Sequence, residues 1–390
     1  MSNMKKFRFH VVALPHTWTA MSHSACAFTM KILHFCQMMH GLGHEVYHYG
    51  VEGSEVSDCT AEHVQIMSKA EQVGFFGEYD PGALYQVDWS GKAPYWKMVN
   101  ERSAAAIVER KQPGDFVCVI MGTLNRPLAD ALPADVMTVE YGIGYNGTFA
   151  KYRVFESYAH MHKIWGAGGG FDPDGRLYDA VIPNYLNPAD YPFQCEKEDY
   201  YLFLGRLIKR KGIHIAVETC NRIGAKLKIA GQGCTKVEGN RIHCSDGEVY
   251  EGDNLEYVGF ATGDKRAQLY QNAKGVFVPT TYIEPFGAVA IEAQMAGTPP
   301  ITTDFGAFTE TVEHGRTGFR CHTLDHFVWA AQHVNEIDPW YIHQRAVANY
   351  SMDRVRWRYQ EYFEMLADLW NKGWYEIHDD RRNLDWLRTY

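Results

Sequence analysis

The feature that most constrains this chain is a pattern that runs twice: short, largely apolar runs alternate with stretches of helical periodicity. Phe7–Leu14 reads as a buried strand. Ser22–Leu42 carries Ala25, Phe28, Ile32, Phe35 and Met39 at helical recurrence, and Gly41 and Gly43 end it. Glu45–Tyr49, Asp115–Met121, Met137–Tyr141 and Asp179–Pro183 are further strand candidates, while Ser103–Arg110 and Tyr152–Met161 are expected to be helical. Cys59–Tyr95 has weak periodicity and many turn residues, and reads as an irregular excursion. Apolar strands separated by helices imply a parallel sheet covered on both faces.

The pattern breaks at Asn187-Pro188-Ala189-Asp190-Tyr191-Pro192 and at the charged run Glu196–Asp199, then restarts. Tyr200–Leu204, Lys226–Ala230, Gly275–Pro279 and Pro299–Thr303 read as strands, and Gly212–Asn221, Lys265–Asn272 and Phe286–Met295 as helices. Trp340–Trp370 is helical and aromatic throughout. A length of 390 residues suits two domains. The expected division is a first lobe over 1–190, a second over 191–365 and a helical tail over 366–390. Two such α/β lobes imply a cleft where the C-terminal ends of both sets of strands meet.

Composition excludes several classes. No run of eighteen apolar residues exists, so no membrane span is expected. The segment after Met1 lacks a small-residue cleavage pattern, and the nine cysteines are scattered without a CxxC pair, so a reducing cytoplasm is the expected compartment. The net charge of −9 argues against a protein that coats nucleic acid. Pro15–His40 contains no glycine, which removes the G-x-G-x-x-G expected of a nicotinamide oxidoreductase.

The chemistry concentrates in Thr281-Tyr282-Ile283-Glu284-Pro285-Phe286-Gly287-Ala288-Val289-Ala290-Ile291-Glu292. Pro285 suits the first turn of a helix, and Gly287 would let an anion approach the free amides there. Glu284 stands at the mouth, and Glu292 lies two turns further on. One carboxylate could accept from a sugar and the other from a ribose. A second element is Gly205-Arg206-Leu207-Ile208-Lys209-Arg210-Lys211-Gly212, a basic loop at a strand's C-terminal end that could neutralise a pyrophosphate. Ala230-Gly231-Gln232-Gly233 turns tightly after the next strand, and His314-Gly315-Arg316-Thr317-Gly318-Phe319 follows late.

Taken together and in this order, these motifs resemble family 4 of the glycosyltransferases, which have the GT-B fold of two Rossmann-like lobes; the resemblance covers about Tyr200 to Phe319. It implies that Arg206 and Lys211 grip the diphosphate of a nucleotide-sugar donor, a UDP-linked hexose being the expected one. It also implies that Glu284 contacts the donor sugar and Glu292 the ribose, with Gly205, Gly231 and the Pro285-Phe286-Gly287-Ala288 turn framing the site. The family retains the anomeric configuration, usually without a metal, so no cofactor is expected. Asp172-Pro173-Asp174 has the D-x-D spacing of metal-dependent transferases, but in a turn setting. The first half departs from the family: Tyr185 replaces a glycine after Pro183-Asn184, and Pro15–Thr19 stands where a glycine-rich loop is common. Glu140 takes the place of a histidine beside the sugar, or is tied into the Tyr141–Tyr145 loop. His16 is a candidate acceptor-side base or a satisfied loop histidine, and Trp18 a stacking floor for an acceptor or a pin for its loop.

The first half, notably His10–Thr17 and Val154–Ala159, also looks like predicted glycosyltransferases of bacteriophage and environmental viruses. In that setting the acceptor hydroxyl could belong to a hydroxymethylated pyrimidine in DNA, rather than to a glycan or small molecule. With 15 Lys+Arg against 20 Asp+Glu over 1–190, such a polyanion would need a locally basic track. A GT-B epimerase or phosphorylase, or a non-catalytic nucleotide-sugar binder, shares the donor motifs.

Overall fold

The computed structural model describes residues 4–370 apart from 81, 84, 85 and 169–174. The Asp172–Asp174 pair and the tail beyond 370 therefore lie outside the described residues. In the first lobe the elements are β1 (Arg8–Val12), α1 (Ala27–Gly41), β2 (Glu45–Val51), β3 (Glu62–Met67), α2 (Lys69–Phe76), α3 (Pro94–Arg110), β4 (Phe116–Val119), α4 (Arg126–Asp130), β5 (Met137–Ile143), β6 (Tyr152–Phe155), α5 (Tyr158–Gly166) and β7 (Asp179–Val181). The seven strands are parallel in the order β3-β2-β1-β4-β5-β6-β7. The order reverses between β1 and β4, which opens a crevice beyond the strands' C-terminal ends.

The second lobe contains β8 (Tyr201–Leu204), α6 (Ile213–Ile223), β9 (Leu227–Ala230), β10 (Cys234–Glu238), β11 (Arg241–Cys244), β12 (Val249–Glu251), β13 (Leu255–Gly259) and α7 (Gly263–Asn272). It continues with β14 (Gly275–Val278), α8 (Ala288–Met295), β15 (Pro300–Thr303), α9 (Phe308–Thr311), β16 (Phe319–Cys321), α10 (Leu324–His333) and α11 (Pro339–Tyr350). Its parallel sheet runs β13-β9-β8-β14-β15-β16. The antiparallel β10-β11-β12 sheet stands apart and was not expected.

Four expectations are corrected. The helix expected over Tyr152–Met161 is a strand followed by a helix. Tyr152, Val154 and Phe155 are buried strand formers, and Ser157 caps α5 by accepting from His160 N at 3.1 Å. The irregular excursion holds the edge strand β3 and α2, the latter started by a Ser68–Glu71 capping box. The long C-terminal helix is two, because Ser351 caps α12 (Met352–Leu369).

The fourth correction concerns the lobe boundary at 365. Helix α12 runs through it and packs in the core of the first lobe, not the second. Phe363 lies 4.6 Å from Phe9 and 4.7 Å from Phe116, ring to ring, and Val355, Tyr359 and Leu366 join the same core. Burying one such ring stabilises by about 1.5–3 kcal/mol. The chain therefore crosses between lobes twice, and the crossings are hydrogen-bonded together: Leu186 N donates to Tyr350 O and Met352 N to Leu186 O, each at 2.9 Å. Among the described residues no helix is long and apolar enough to cross a membrane.

Candidate active site

The C-terminal ends of both sheets face one cavity of about 690 Å³. The first lobe contributes α1, with Lys31 and His34, and the crossing around Asn184–Tyr191. The second contributes Gly205 and Arg206 after β8, Gly231 after β9, Glu284, and the start of α8. Tyr185, in place of the glycine expected after Asn184, ties this crossing to α1 by donating to Lys31 O at 2.9 Å.

The glycines here are required by close approach. A Cβ on Gly231 would lie 1.8 Å from the carbonyl oxygen of Gly205, so the turn after β9 can meet the turn after β8 only with glycine at 231. Gly287 has φ 80° and a Cβ there would strike the Phe308 ring at 2.5 Å. It is the N-cap of α8, which starts at Ala288 rather than in the turn at Pro285. Pro285 and Phe286 thus lie outside the cavity lining. The Pro285 carbonyl accepts from Ser157 Oγ at 2.6 Å across the lobe interface. Phe286 is buried against Tyr350. No side chain caps α8, and Ala288 and Val289 line the cavity, so the positive end of the helix faces it.

Charge is arranged in pairs. Lys211 Nζ donates to Glu284 Oε2 at 3.1 Å and to Tyr282 OH at 2.5 Å. Burial, followed by the charge of Glu284, pushes the Tyr282 phenol up. Arg206 is exposed at the mouth and makes no ion pair among the described residues. Glu292 is buried at 6% exposure and receives three hydrogen bonds on one oxygen: Arg266 donates to Oε2 through Nε at 3.1 Å and through Nη2, and Tyr270 OH at 2.5 Å.

In the first lobe the structure separates residues that the sequence suggested together. Glu140 is fully buried on β5 and accepts from Phe149 N (2.8 Å), Ala150 N (2.7 Å) and Tyr145 OH (3.2 Å). Its carboxylate organises the loop after β5 and does not line the cavity. Burial pushes it above the usual carboxylate range. His16 and Trp18 line a second hollow of about 100 Å³ with Gln72 and Phe76. Burial, with the charge of His23 behind it, pulls His16 down to about 4.

The cavity wall on this side is instead Lys31, buried on α1, 2.6 Å from Glu156 Oε1 and 4.5 Å from the centre of the Phe28 ring. Burial pushes Glu156 up, Lys31 opposes, and the charge of Glu284 adds to the rise. Lys31, Glu156, Arg266 and Tyr270 were all missed. For Lys31 a signal existed: it is the one Asp, Glu, Lys or Arg in Ala25–Met39, a largely apolar helical pattern. The lobes also meet where Glu310 accepts from Tyr158 N (2.9 Å) and Ala159 N (2.8 Å) at the start of α5.

Two parallel α/β lobes facing each other across such a cleft make this a GT-B fold. AviGT4, a glycosyltransferase of avilamycin A biosynthesis, shares it with a TM-score of 0.66 at 20% identity, over 93% of this chain and 98% of its own. HepE of Anabaena, solved with UDP-glucose, shares it with a TM-score of 0.62 at 14% identity, over 93% of this chain and 100% of its own.

In sequence, residues 192–335 match the family described as "Glycosyl transferases group 1". An uncharacterized glycosyltransferase of Methanocaldococcus jannaschii is 31% identical over 194 residues, 44% of this chain and 48% of that protein. A glycogen synthase of Mycobacterium tuberculosis is 32% identical over 157 residues, 37% of this chain and 36% of that protein. The matched region thus spans about half or less of these curated relatives.

Proposed function

We propose that this protein is a glycosyltransferase that moves a hexose from a nucleoside-diphosphate sugar, UDP-linked in the first instance, to a hydroxyl acceptor with retention at the anomeric carbon. The observation that carries the reading is the meeting of Arg206, Lys211, Glu284, Glu292 and the open end of α8 in one inter-lobe cavity. The group 1 match over this lobe and the glycogen synthase relative support sugar transfer.

The chemistry needs positive charge where the diphosphate departs, since charge grows there as the anomeric C–O bond breaks. Arg206 and the end of α8 supply it directly, and Lys211 supplies it by turning from Glu284 to the phosphate. Glu284, released on that side, accepts from sugar hydroxyls, and Glu292 accepts from the ribose. The acceptor hydroxyl enters from the Lys31 side. These cations take the place a divalent metal holds in other transferases, so the reaction proposed here is metal-independent.

A thermal-shift screen of nucleotide-sugars tests the reading. The true donor at 100 times its dissociation constant stabilises by about 2.7 kcal/mol. If none of the UDP-, ADP- and GDP-sugars raises the melting temperature, the proposal falls.

A further inference from the structure

The three donors on Glu292 are unevenly placed. Arg266 Nε, Arg266 Nη2 and Tyr270 OH all converge on Oε2, and among the described residues none reaches Oε1. A carboxylate offers about four acceptor sites, two per oxygen, so Oε2 is saturated while Oε1 keeps both of its own. Glu292 borders the cavity, and Tyr270 stands behind it, wholly buried. Tyr191 of the inter-lobe crossing also lines the cavity, and its ring packs edge-on against Tyr270 at 6.1 Å. The carboxylate is thus held through one oxygen by two side chains of α7.

We infer that Arg266 and Tyr270 are positioning residues that orient Glu292, presenting Oε1 as a paired acceptor for the cis-diol of a ribose and so making the site selective for ribonucleotides. The inference rests on the proposed contact of Glu292 with the donor ribose. Two adjacent hydroxyls match two free acceptor sites on one oxygen. A deoxyribose fills only one. Were the carboxylate free to rotate, its ordering would oppose binding and the loss of one hydroxyl would matter less. The selectivity therefore depends on residues that act on the ribose through Glu292.

The test is calorimetric binding of UDP, ADP and GDP, each paired with its 2′-deoxy analogue, to the full chain. The best-bound wild-type pair should favour the ribonucleotide by about tenfold, the worth of one well-placed hydrogen bond to a charged group. Glu292→Gln should bring that ratio to near one, and Tyr270→Phe and Arg266→Lys to about threefold or less. Melting curves establish that each variant is folded, and Arg266→Lys carries the test alone if Tyr270→Phe does not fold.

If Glu292→Gln abolishes the preference while folded Tyr270→Phe and Arg266→Lys keep it in full, the positioning role is overturned and the ribose contact stands. If Glu292→Gln keeps the preference, or the wild type has none or binds none of the six nucleotides, the ribose contact itself falls and takes the inference with it.

Discussion

Lys211 and Glu284 hold each other, the ammonium 3.1 Å from Oε2 and 3.5 Å from Oε1 of the carboxylate. The cation proposed for the phosphate and the carboxylate proposed for the sugar are therefore neutralised by one another. A diphosphate must exchange places with Glu284 on Lys211, which links donor binding to the readiness of the sugar site.

Removing either cation should slow transfer by about 2–4 kcal/mol in kcat/KM, because each stabilises the departing diphosphate more than the bound donor. The two variants should differ in stability. Lys211→Ala strands a largely buried carboxylate and should lower the melting temperature, whereas Arg206→Ala removes an exposed, unpaired cation and should leave it unchanged. Near-wild-type turnover in both would dismiss the leaving-group site.

Glu284→Gln should mainly lower kcat and Glu292→Gln mainly raise KM, since a ribose contact is equally strong in ground and transition states. Steady-state kinetics with the donor varied will separate them. The opposite pattern would exchange the two roles.

Transfer should persist in excess chelator, with little change in an Asp172→Asn, Asp174→Asn double variant. Loss of activity in chelator with recovery on adding magnesium or manganese would refute the metal-independent reaction.

Glu310→Ala should destabilise by about 1–2 kcal/mol, because it removes from α5 the acceptor of two terminal amides. Thermal unfolding monitors this. Since donor and acceptor come from different lobes, small-angle scattering should also show a more open average shape, and an unchanged profile would count against a joining role for this contact.

Stability should fall as pH drops below 6.5. Burial, the leading cause in each case, pulls His16 and His34 down to about 4 and His48 to about 3. The unfolded chain therefore binds more protons than the folded one between these values and 6.5. Each such histidine contributes up to about 2 kcal/mol at neutral pH that is lost by pH 5. Glu156, shifted upward, works in the opposite sense over a window above its ordinary value. Urea midpoints at pH 7.5 and 5 give the net sign, and a midpoint that rises at pH 5 would contradict it.

The parallel sheets were legible because largely apolar strands such as Phe9–Val12 and Tyr201–Leu204 leave little choice once helices separate them. The donor side was legible for a related reason: Gly231 and Gly287 sit where no other residue fits, and such constraints leave local marks. Tyr152–Met161 misled because Ser157 divides two elements of similar composition. The roles of Glu140 and His16 stayed open because strand position tells which end of a sheet a residue occupies, not whether a neighbouring loop claims its polar atoms. Arg266 and Tyr270 left little trace, since their partner Glu292 lies more than twenty residues away.

The return of α12 to the first lobe has a consequence for how the protein is made. Phe9, Phe35 and Phe116 are synthesised early, yet the ring that closes their core, Phe363, is among the last described residues to leave the ribosome. Throughout translation of the second lobe the first one carries an open aromatic groove. A nascent chain stalled before residue 352 should therefore be captured by chaperones that bind exposed apolar surface, and release should coincide with emergence of α12.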